Sequence, residues 1–283
     1  MEKMTKRIQS IKKKRPGYGE VLDFYLKVRE AQEGIKSSLK VESIFLKKEW
    51  KDLLAKEGFS ILERKDFPLD IEASLTLFQT LCQIAKEANP HLLKQIKKIS
   101  EALDDKKMDL KDLFKDKKRE QKLEQKLNKL DLDKRAFLFL IQESMRPSIE
   151  AVVEQLRSEI NAGTWLKGYC PICGSLPLLS LLKQEERKRY LLCSYCGYQW
   201  RTDRLICPFC NNKDQESLHY FYGEGEEAHR IDLCEKCHQY IKTIDTGRIE
   251  NGDPLLEDLA TLHLDLLASK KGYKRPVPNP WTL

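Results

Sequence analysis

Apolar residues recur every three or four positions along the first half of the chain, which is the period of an α-helix. This spacing predicts helices over residues 18–39, 48–57, 69–88 and 91–103, with Asn89-Pro90 as a stop between the last two. A further helix is predicted over residues 134–160, where the run AFLFLI is apolar all round and Pro147 introduces a kink or a division. The N-terminal half is therefore predicted to be a helical domain.

The pattern changes after Gly163, where short apolar runs between turn residues predict β-strands. The runs PLLSLL and RYLL flank the charged turn QEERK, and LHYFYG and HRIDL flank EGEE, so each set predicts a hairpin. Beyond them, Asp253 is placed to cap a last helix with Pro254 at its first position. The tail KRPVPNPWTL is extended, and Trp281 predicts that this tail docks on the protein or on a partner.

Basic residues are concentrated at the start of the chain, which has 283 residues and a net charge of +7. Residues 1–15 hold seven basic and one acidic side chain, whereas residues 16–162 hold 28 and 27, and residues 163–283 hold 16 and 16. The segment 1–15 is expected to be a basic, flexible tail. Since the cysteine-bearing part lacks a net basic charge, nucleic acid is not expected as a partner.

No segment has the character of a membrane span. The longest uninterrupted apolar stretch, Ala136–Ile141, is far shorter than the roughly 20 residues that such a helix needs. The start of the chain also lacks the apolar run of a signal peptide. The sequence thus predicts a cytoplasmic protein without membrane insertion, and the charge-rich residues 104–134 predict exposed amphipathic helices or a mobile lid.

Eight of the nine cysteines lie in four Cys-x-x-Cys pairs, which are Cys170/Cys173, Cys193/Cys196, Cys207/Cys210 and Cys234/Cys237. In a reducing compartment such pairs favour metal ligation, and disulfides within each pair are the alternative. The ninth, Cys82, lies in a helical pattern and is expected to be a buried apolar side chain.

Loop lengths favour pairing the first with the second Cys-x-x-Cys and the third with the fourth. The loops that these pairings close, over residues 174–192 and 211–233, are both long enough for a hairpin. Pairing the second with the third would close only the short loop 197–206 and force the outer pairs to meet across the whole region. The expected metal sites are Cys170, Cys173, Cys193 and Cys196 (site 1) and Cys207, Cys210, Cys234 and Cys237 (site 2).

The residue after the second cysteine of such a turn often needs a left-handed backbone. Gly174 and Gly197 suit that position and Asn211 tolerates it, whereas His238 departs from the pattern. Four cysteines suit zinc and iron alike. Eight thiolates already fill two sites, which makes His219 and His229 weak candidates for ligands, and His263 as well. No set of residues stands at the spacing of an active site, so the sequence predicts a protein that is not an enzyme.

Several runs together resemble the formate dehydrogenase accessory protein FdhE family. They are WLKGYCPICGSLP, CSYCGYQW, CPFC, HRIDLCEKCHQYIKTID and LATLHLDLLASKKGY with its NPW tail, and they cover roughly Trp165 to Trp281. The resemblance implies a two-part α+β fold, in which a helical N-terminal domain precedes two tandem rubredoxin-like or zinc-ribbon-like metal modules and a C-terminal helix. It also implies that the eight paired cysteines are metal ligands, with iron as the metal.

The same resemblance implies a cytoplasmic, chaperone-like maturation factor that is required for active formate dehydrogenase and binds its catalytic subunit. Two alternatives are a zinc ribbon that binds nucleic acid and a rubredoxin-like redox or electron-transfer protein. The sequence leaves open whether the protein forms a homo-oligomer. The expected division of the chain is a basic tail, a helical domain, the metal modules, and the C-terminal helix with its tail, over residues 1–15, 16–162, 163–248 (modules at about 165–203 and 204–248) and 249–283.

Overall fold

The computed structural model describes all residues except 48, 50–52, 54, 55, 89, 116–124, 126, 161–164, 184–187, 251 and 283, and for residues 90, 91 and 115 it describes the backbone alone. The chain forms two compact units. The sheet unit comprises Met1–Pro16, Phe45–Glu63 and Gln155–Asn279, and the helical unit comprises Gly17–Ile44, Arg64–Glu154 and Pro280–Leu283. The domain boundaries expected from the sequence stay a prediction.

The α-helices with both ends described are α1 (Glu2–Lys14), α2 (Gly19–Lys36), α3 (Ile71–Ala88), α4 (Pro90–Asp104), α5 (Leu110–Lys115), α6 (Lys134–Leu156), α7 (Pro254–Leu259) and α8 (Leu262–Lys270). The strands are β1 (Pro177–Leu182), β2 (Arg189–Cys193), β3 (Gln199–Thr202), β4 (Leu218–Tyr222), β5 (His229–Cys234) and β6 (Gln239–Asp245). Short 3-10 turns span Pro16–Tyr18, Arg64–Asp66, Arg157–Glu159 and Gln215–Ser217.

Helical periodicity predicted α2, α3, α4 and α6 correctly, and these helices end within a few residues of the expected positions. The helix predicted over residues 48–57 lies mostly outside the described residues. In the described part of the chain, no helix is both long and apolar enough to cross a membrane. Of the charge-rich residues 104–134, Leu110, Phe114 and Leu127 are buried, while residues 116–124 and 126 of the predicted helices or lid lie outside the described residues.

Helix α6 runs through Pro147 without a division. A proline has no N–H for the carbonyl four residues earlier, which here belongs to Glu143. That carbonyl instead accepts a hydrogen bond of 2.9 Å from the Nε2 of buried Gln32 on α2. The side-chain donor replaces the missing helical bond, so the backbone at Pro147 keeps a partner within the core.

Trp281 docks within the helical unit, as the sequence predicts for the tail. Its side chain is 3% exposed. The ring lies edge-on to Tyr25 and Phe139, with centroids 4.7 and 4.8 Å away, and to Phe24 at 5.9 Å. These contacts fix the end of the tail on α2 and α6.

The sheet unit is organised around one six-stranded sheet with the order β3-β2-β1-β6-β5-β4. Both predicted hairpins are present, as the antiparallel pairs β1/β2 and β4/β5. At the centre of the sheet β1 and β6 pair in parallel, with Leu179 opposite Lys242 and Leu182 opposite Asp245. The two tandem modules therefore share a continuous sheet.

The segment 1–15 is not a flexible tail, and that expectation is wrong. Residues 2–14 form α1, in which Ile8 and Ile11 are buried. Arg7 donates through Nε and Nη2 to both carboxylate oxygens of Glu257 on α7, at 2.6 and 2.8 Å. The segment is ordered because Ile8 and Ile11 share one helical face and Arg7 has a partner on α7.

Asp253 caps α7 as predicted, accepting hydrogen bonds of 3.0 Å from the N–H groups of Leu255 and Leu256. The single helix expected here is divided at Thr261 into α7 and α8. Lys242 is bonded at this division, where its fully buried Nζ donates to the carbonyls of Asp258 and Thr261 at 3.0 and 3.1 Å. In a continuous helix these two carbonyls would accept hydrogen bonds from backbone N–H groups four residues later.

Lys242 belongs to a buried ionic network of two cations and two carboxylates. Its Nζ lies 2.6 Å from both Asp258 and Asp265. Arg275 pairs with the same two carboxylates at 2.8 and 3.0 Å. Burial opposes ionisation of Asp258, but the two cations outweigh it and lower the pKa of this carboxyl to about 2. Balanced charge therefore holds α7, α8 and the segment around Arg275 on the sheet.

Candidate metal centres

The eight paired cysteines gather into two groups, and within each group the four sulfur atoms lie within 4.8 Å of one another. The members are Cys170, Cys173, Cys193 and Cys196 in the first group and Cys207, Cys210, Cys234 and Cys237 in the second. The structure thus brings the cysteines together in the pairing favoured by the loop lengths. None of the nine cysteines forms a disulfide in the structure.

The spacing of the sulfur atoms fits a tetrahedral ion. A metal about 2.3 Å from four tetrahedrally placed sulfurs keeps them about 3.8 Å apart. The closest sulfur–sulfur distances are 3.3, 3.6 and 3.6 Å in the first group and 3.6 and 3.7 Å in the second. Both groups are therefore suited to tetrahedral metal binding, and zinc and iron both form such four-sulfur sites.

Each pair lies on a tight turn, and the residue after its second cysteine has a left-handed backbone. The φ angles are 68° at Gly174, 71° at Gly197, 58° at Asn211 and 52° at His238. The first turn of each group is closed in the same way, with N–H donors of Gly174 and Asn211 bonded at 2.9 Å to the carbonyls of Cys170 and Cys207. His238, which looked irregular in the sequence, adopts the same left-handed conformation as the other three residues.

Four cysteines in so small a volume could all ionise only beside a cation. Burial raises the pKa of Cys170 and Cys196 well above that of a free thiol, and burial also raises the pKa of Cys207. A bound metal ion reverses this effect, because its charge stabilises thiolates that burial destabilises. The donor set and its environment therefore fit a divalent or trivalent metal ion.

The two groups differ in their access to solvent. All four cysteines of the first group are buried, whereas Cys210 is exposed and Cys237 is partly exposed in the second. The first turn is also bonded to residues 59–62, which we call the cap segment. The N–H groups of Ile61 and Leu62 donate to the carbonyls of the first cysteine turn, at 2.9 and 2.8 Å. This segment fixes the first turn from outside the cysteine-bearing region.

Arg189 on β2 connects the two groups. Its Nε donates to Ser180 on β1 at 2.8 Å, and its Nη1 donates at 2.8 Å to the carbonyl of Ile206, directly before Cys207. Its Nη2 reaches Asp232 on β5 at 3.2 Å. The side chain is 3% exposed, so these bonds hold the start of the second group in a low-dielectric interior. The pattern of apolar runs carried no signal for this role.

The three histidines that the sequence offered as weak candidate ligands each pair with a carboxylate, and none belongs to either cysteine group. Nε2 of His229 is 2.8 Å from Glu257, and Nε2 of His263 is 2.7 Å from Glu226. His219 pairs with Glu235 at 3.0 Å. Cys82 is a buried residue of α3, where burial raises the pKa of its thiol to about 12. Its thiol is accordingly uncharged near neutral pH.

Comparison with known proteins agrees with this architecture. The family model for the FdhE central domain matches residues 169–204, and the model for the FdhE C-terminal domain matches residues 205–282. The junction between them falls between the second and third cysteine pairs. Each matched segment thus contains two of the four pairs.

Relatives extend the similarity over the whole chain. A protein FdhE homolog of Aquifex aeolicus (strain VF5) is 30% identical over 270 residues, which cover 94% of this chain and 90% of that protein. A homolog from Stutzerimonas stutzeri (strain A1501) is 36% identical over 114 residues, 39% of this chain and 37% of that protein.

The fold is also found in a solved structure. The crystal structure of the FdhE protein from Pseudomonas aeruginosa superposes with a TM-score of 0.68 at 20% identity, covering 99% of this chain and 94% of that one. This match shows a shared fold, and the Aquifex relative shows common descent along nearly the full length. With its paired cysteine groups and helical unit, the chain belongs to the FdhE family.

Proposed function

We propose that this protein is a cytoplasmic accessory protein that binds the catalytic subunit of a formate dehydrogenase and is required for that enzyme to become active. Membership of the FdhE family carries the proposal, since the family resembled by the sequence has this role. The arrangement of the sheet unit supports it. Two cysteine groups joined through one sheet form a rigid module, and rigid modules suit a protein whose task is to hold a partner.

We propose further that Cys170, Cys173, Cys193 and Cys196 hold one metal ion and that Cys207, Cys210, Cys234 and Cys237 hold another. The sulfur spacing supports this assignment. Bound metal supplies cross-links between turns that lie far apart in sequence, and the left-handed residues then keep backbone N–H groups near the sulfurs. In this account the ions stabilise a binding surface and the protein is not an enzyme.

Deletion of the gene in its host tests the accessory role. The proposal expects loss of formate dehydrogenase activity while the catalytic subunit is still made, with activity restored by the wild-type gene. Binding is tested separately by co-purification of the two proteins. Unchanged enzyme activity in the deletion strain would contradict the role, and a catalytic subunit that never co-purifies would contradict direct binding.

A further inference from the structure

Strand β4 is an edge of the sheet that lacks the usual protection. Among the described residues no strand pairs with its outer side. Its sequence LHYFY contains no lysine or proline, and its register with β5 is unbroken from Leu218 to Tyr222. Natural proteins commonly blunt such edges with lysines, prolines or bulges, because free N–H and C=O groups pair with other chains. An unblunted edge is therefore a candidate binding site.

The two faces of β4 have different environments. Phe221 packs on the core cluster formed by β5, β6 and α8, which fixes the strand from one side. On the other face Tyr220 and Tyr222 are 59% and 49% exposed, and their rings stack with centroids 6.3 Å apart. The guanidinium of Arg230 lies 4.8 Å from the centre of the Tyr220 ring. The tyrosines are thus held ready on a rigid strand, at low entropic cost for binding.

A groove of about 420 Å³ lies beside these tyrosines and is more basic than acidic. The charged residues that line it are Lys183, Arg204, Arg230 and Arg248 with Glu227 and Asp245. Several of these charges have partners nearby: Asp245 pairs with Arg248 at 3.2 Å, and Arg230 pairs with Asp232 at 2.8 Å. The charged side chains that line the groove are still net positive, which favours an occupant with carboxylates.

We propose that an extended, acidic segment of the catalytic subunit adds to β4 as a further antiparallel or parallel strand, with side chains on Tyr220 and Tyr222 and carboxylates near Arg204 and Arg230. In strand addition the main-chain hydrogen bonds of the sheet edge give affinity, and neighbouring pockets select the side chains of the added strand. Here β4 would supply the hydrogen bonds and the groove would select the side chains. This inference rests on the proposed function, since it names the surface through which that function acts.

Affinity measurements with purified full-length protein and purified catalytic subunit test the surface. The double variant Tyr220→Ser/Tyr222→Ser is expected to bind at least tenfold more weakly than wild type. The matched control is Leu266→Ser/Leu267→Ser, which removes two exposed apolar side chains from α8 and is expected to bind within twofold of wild type. Both variants should keep the wild-type circular dichroism spectrum.

The charge of the groove is tested by Arg204→Glu against Arg201→Glu, an exposed position on the opposite edge strand. Only the first is expected to weaken binding, by about fivefold or more at low salt. Hydrogen exchange tests the same surface on the wild-type protein. Binding of the catalytic subunit should slow exchange of the backbone amides of residues 218–222.

The outcomes separate this surface from the function itself. Wild-type binding that neither tyrosine nor Arg204 variants weaken, or that leaves exchange at residues 218–222 unchanged, overturns the surface and leaves the proposed function standing. Failure of wild type to bind the subunit overturns both. If the tyrosine variant keeps its affinity for the subunit but loses affinity for a single-stranded RNA, the surface is a nucleic-acid site and this inference is wrong.

Discussion

Four residues that follow a cysteine pair share one left-handed backbone conformation, although only two of them are glycine. Such a conformation costs about 1–2 kcal/mol for a residue with a Cβ. Asn211 and His238 accept that penalty because the turn geometry is fixed by its own hydrogen bonds and by the sulfur group. At His238 the ring lies 5.9 Å from Tyr273, and its carbonyl accepts a 2.9 Å bond from Lys274.

Replacing Gly197 by alanine tests the backbone requirement. No atom lies within 4 Å of the new Cβ, so the left-handed φ of 71° is the only source of strain. We expect Gly197→Ala to lower the free energy of unfolding by about 1 kcal/mol in a denaturant titration. The control is Gly34→Ala in α2, which also has open space but an ordinary φ, and it should be neutral or stabilising. Equal effects of the two changes would contradict the account.

Lys242 offers a second test at a single position. Lys242→Met leaves buried Asp258 and partly exposed Asp265 with Arg275 as the remaining cation of the network, and unpaired buried charge typically costs about 3–5 kcal/mol. We expect the variant to lose stability of that order. Arg248→Met removes an ion pair whose arginine is 60% exposed, and its effect should stay below about 1 kcal/mol. A Lys242 variant as stable as the Arg248 variant would show that the network is not needed.

The cap segment and the cysteine groups make a prediction about metal loss. All four cysteines of the first group are buried and its first turn is bonded to residues 59–62, whereas Cys210 is exposed, so a chelator should remove metal from the second group first. The expected difference in release rate is at least tenfold, followed by absorbance of a coloured chelator. Alkylation during release should label Cys210 and Cys237 before Cys170 and Cys173. Simultaneous loss, or loss from the first group first, would contradict the asymmetry.

A change in the cap segment makes this test specific. Ile61→Pro removes the N–H that donates to the carbonyl of Pro171, so the first group should release metal faster and approach the rate of the second. Ile61→Ala keeps the N–H and is the matched control, with release expected to stay close to wild type. Identical release from the proline and alanine variants would mean that the hydrogen bond does not protect the first group.

Local patterns in the sequence predict most elements, and contacts between distant segments account for what they miss. Short apolar runs on either side of a charged turn predicted both hairpins, and loop length predicted how the cysteines group. The parallel pairing of β1 with β6, the cap segment and the role of Arg189 depend on residues that are far apart in the chain, and no periodicity records them. The helix over residues 2–14 was not predicted, because the many basic residues of this segment indicated a solvated tail. The three-residue spacing of Ile8 and Ile11, which are buried, was too weak a signal against them.

The sheet unit is assembled from three separate parts of the chain, so removal of the segment 1–15 should affect the whole unit. Deletion exposes the sites covered by Ile8 and Ile11 and leaves buried Glu257 without Arg7. We expect a loss of at least about 3 kcal/mol in the stability of the unit. Lys3→Gln/Lys6→Gln lowers the charge without removing these contacts and should change little. A truncated protein as stable as wild type would restore the flexible-tail interpretation.

The metal content of the intact protein tests the central claim most directly, which is that two four-cysteine groups each hold one ion. Native mass spectrometry of anaerobically purified protein should give the mass of the chain with two metal ions. A Cys170→Ser variant should carry fewer. The eight paired thiols should resist alkylation until the protein is denatured. A chain that carries no metal, or whose mass shows disulfides within the Cys-x-x-Cys pairs, would contradict the account.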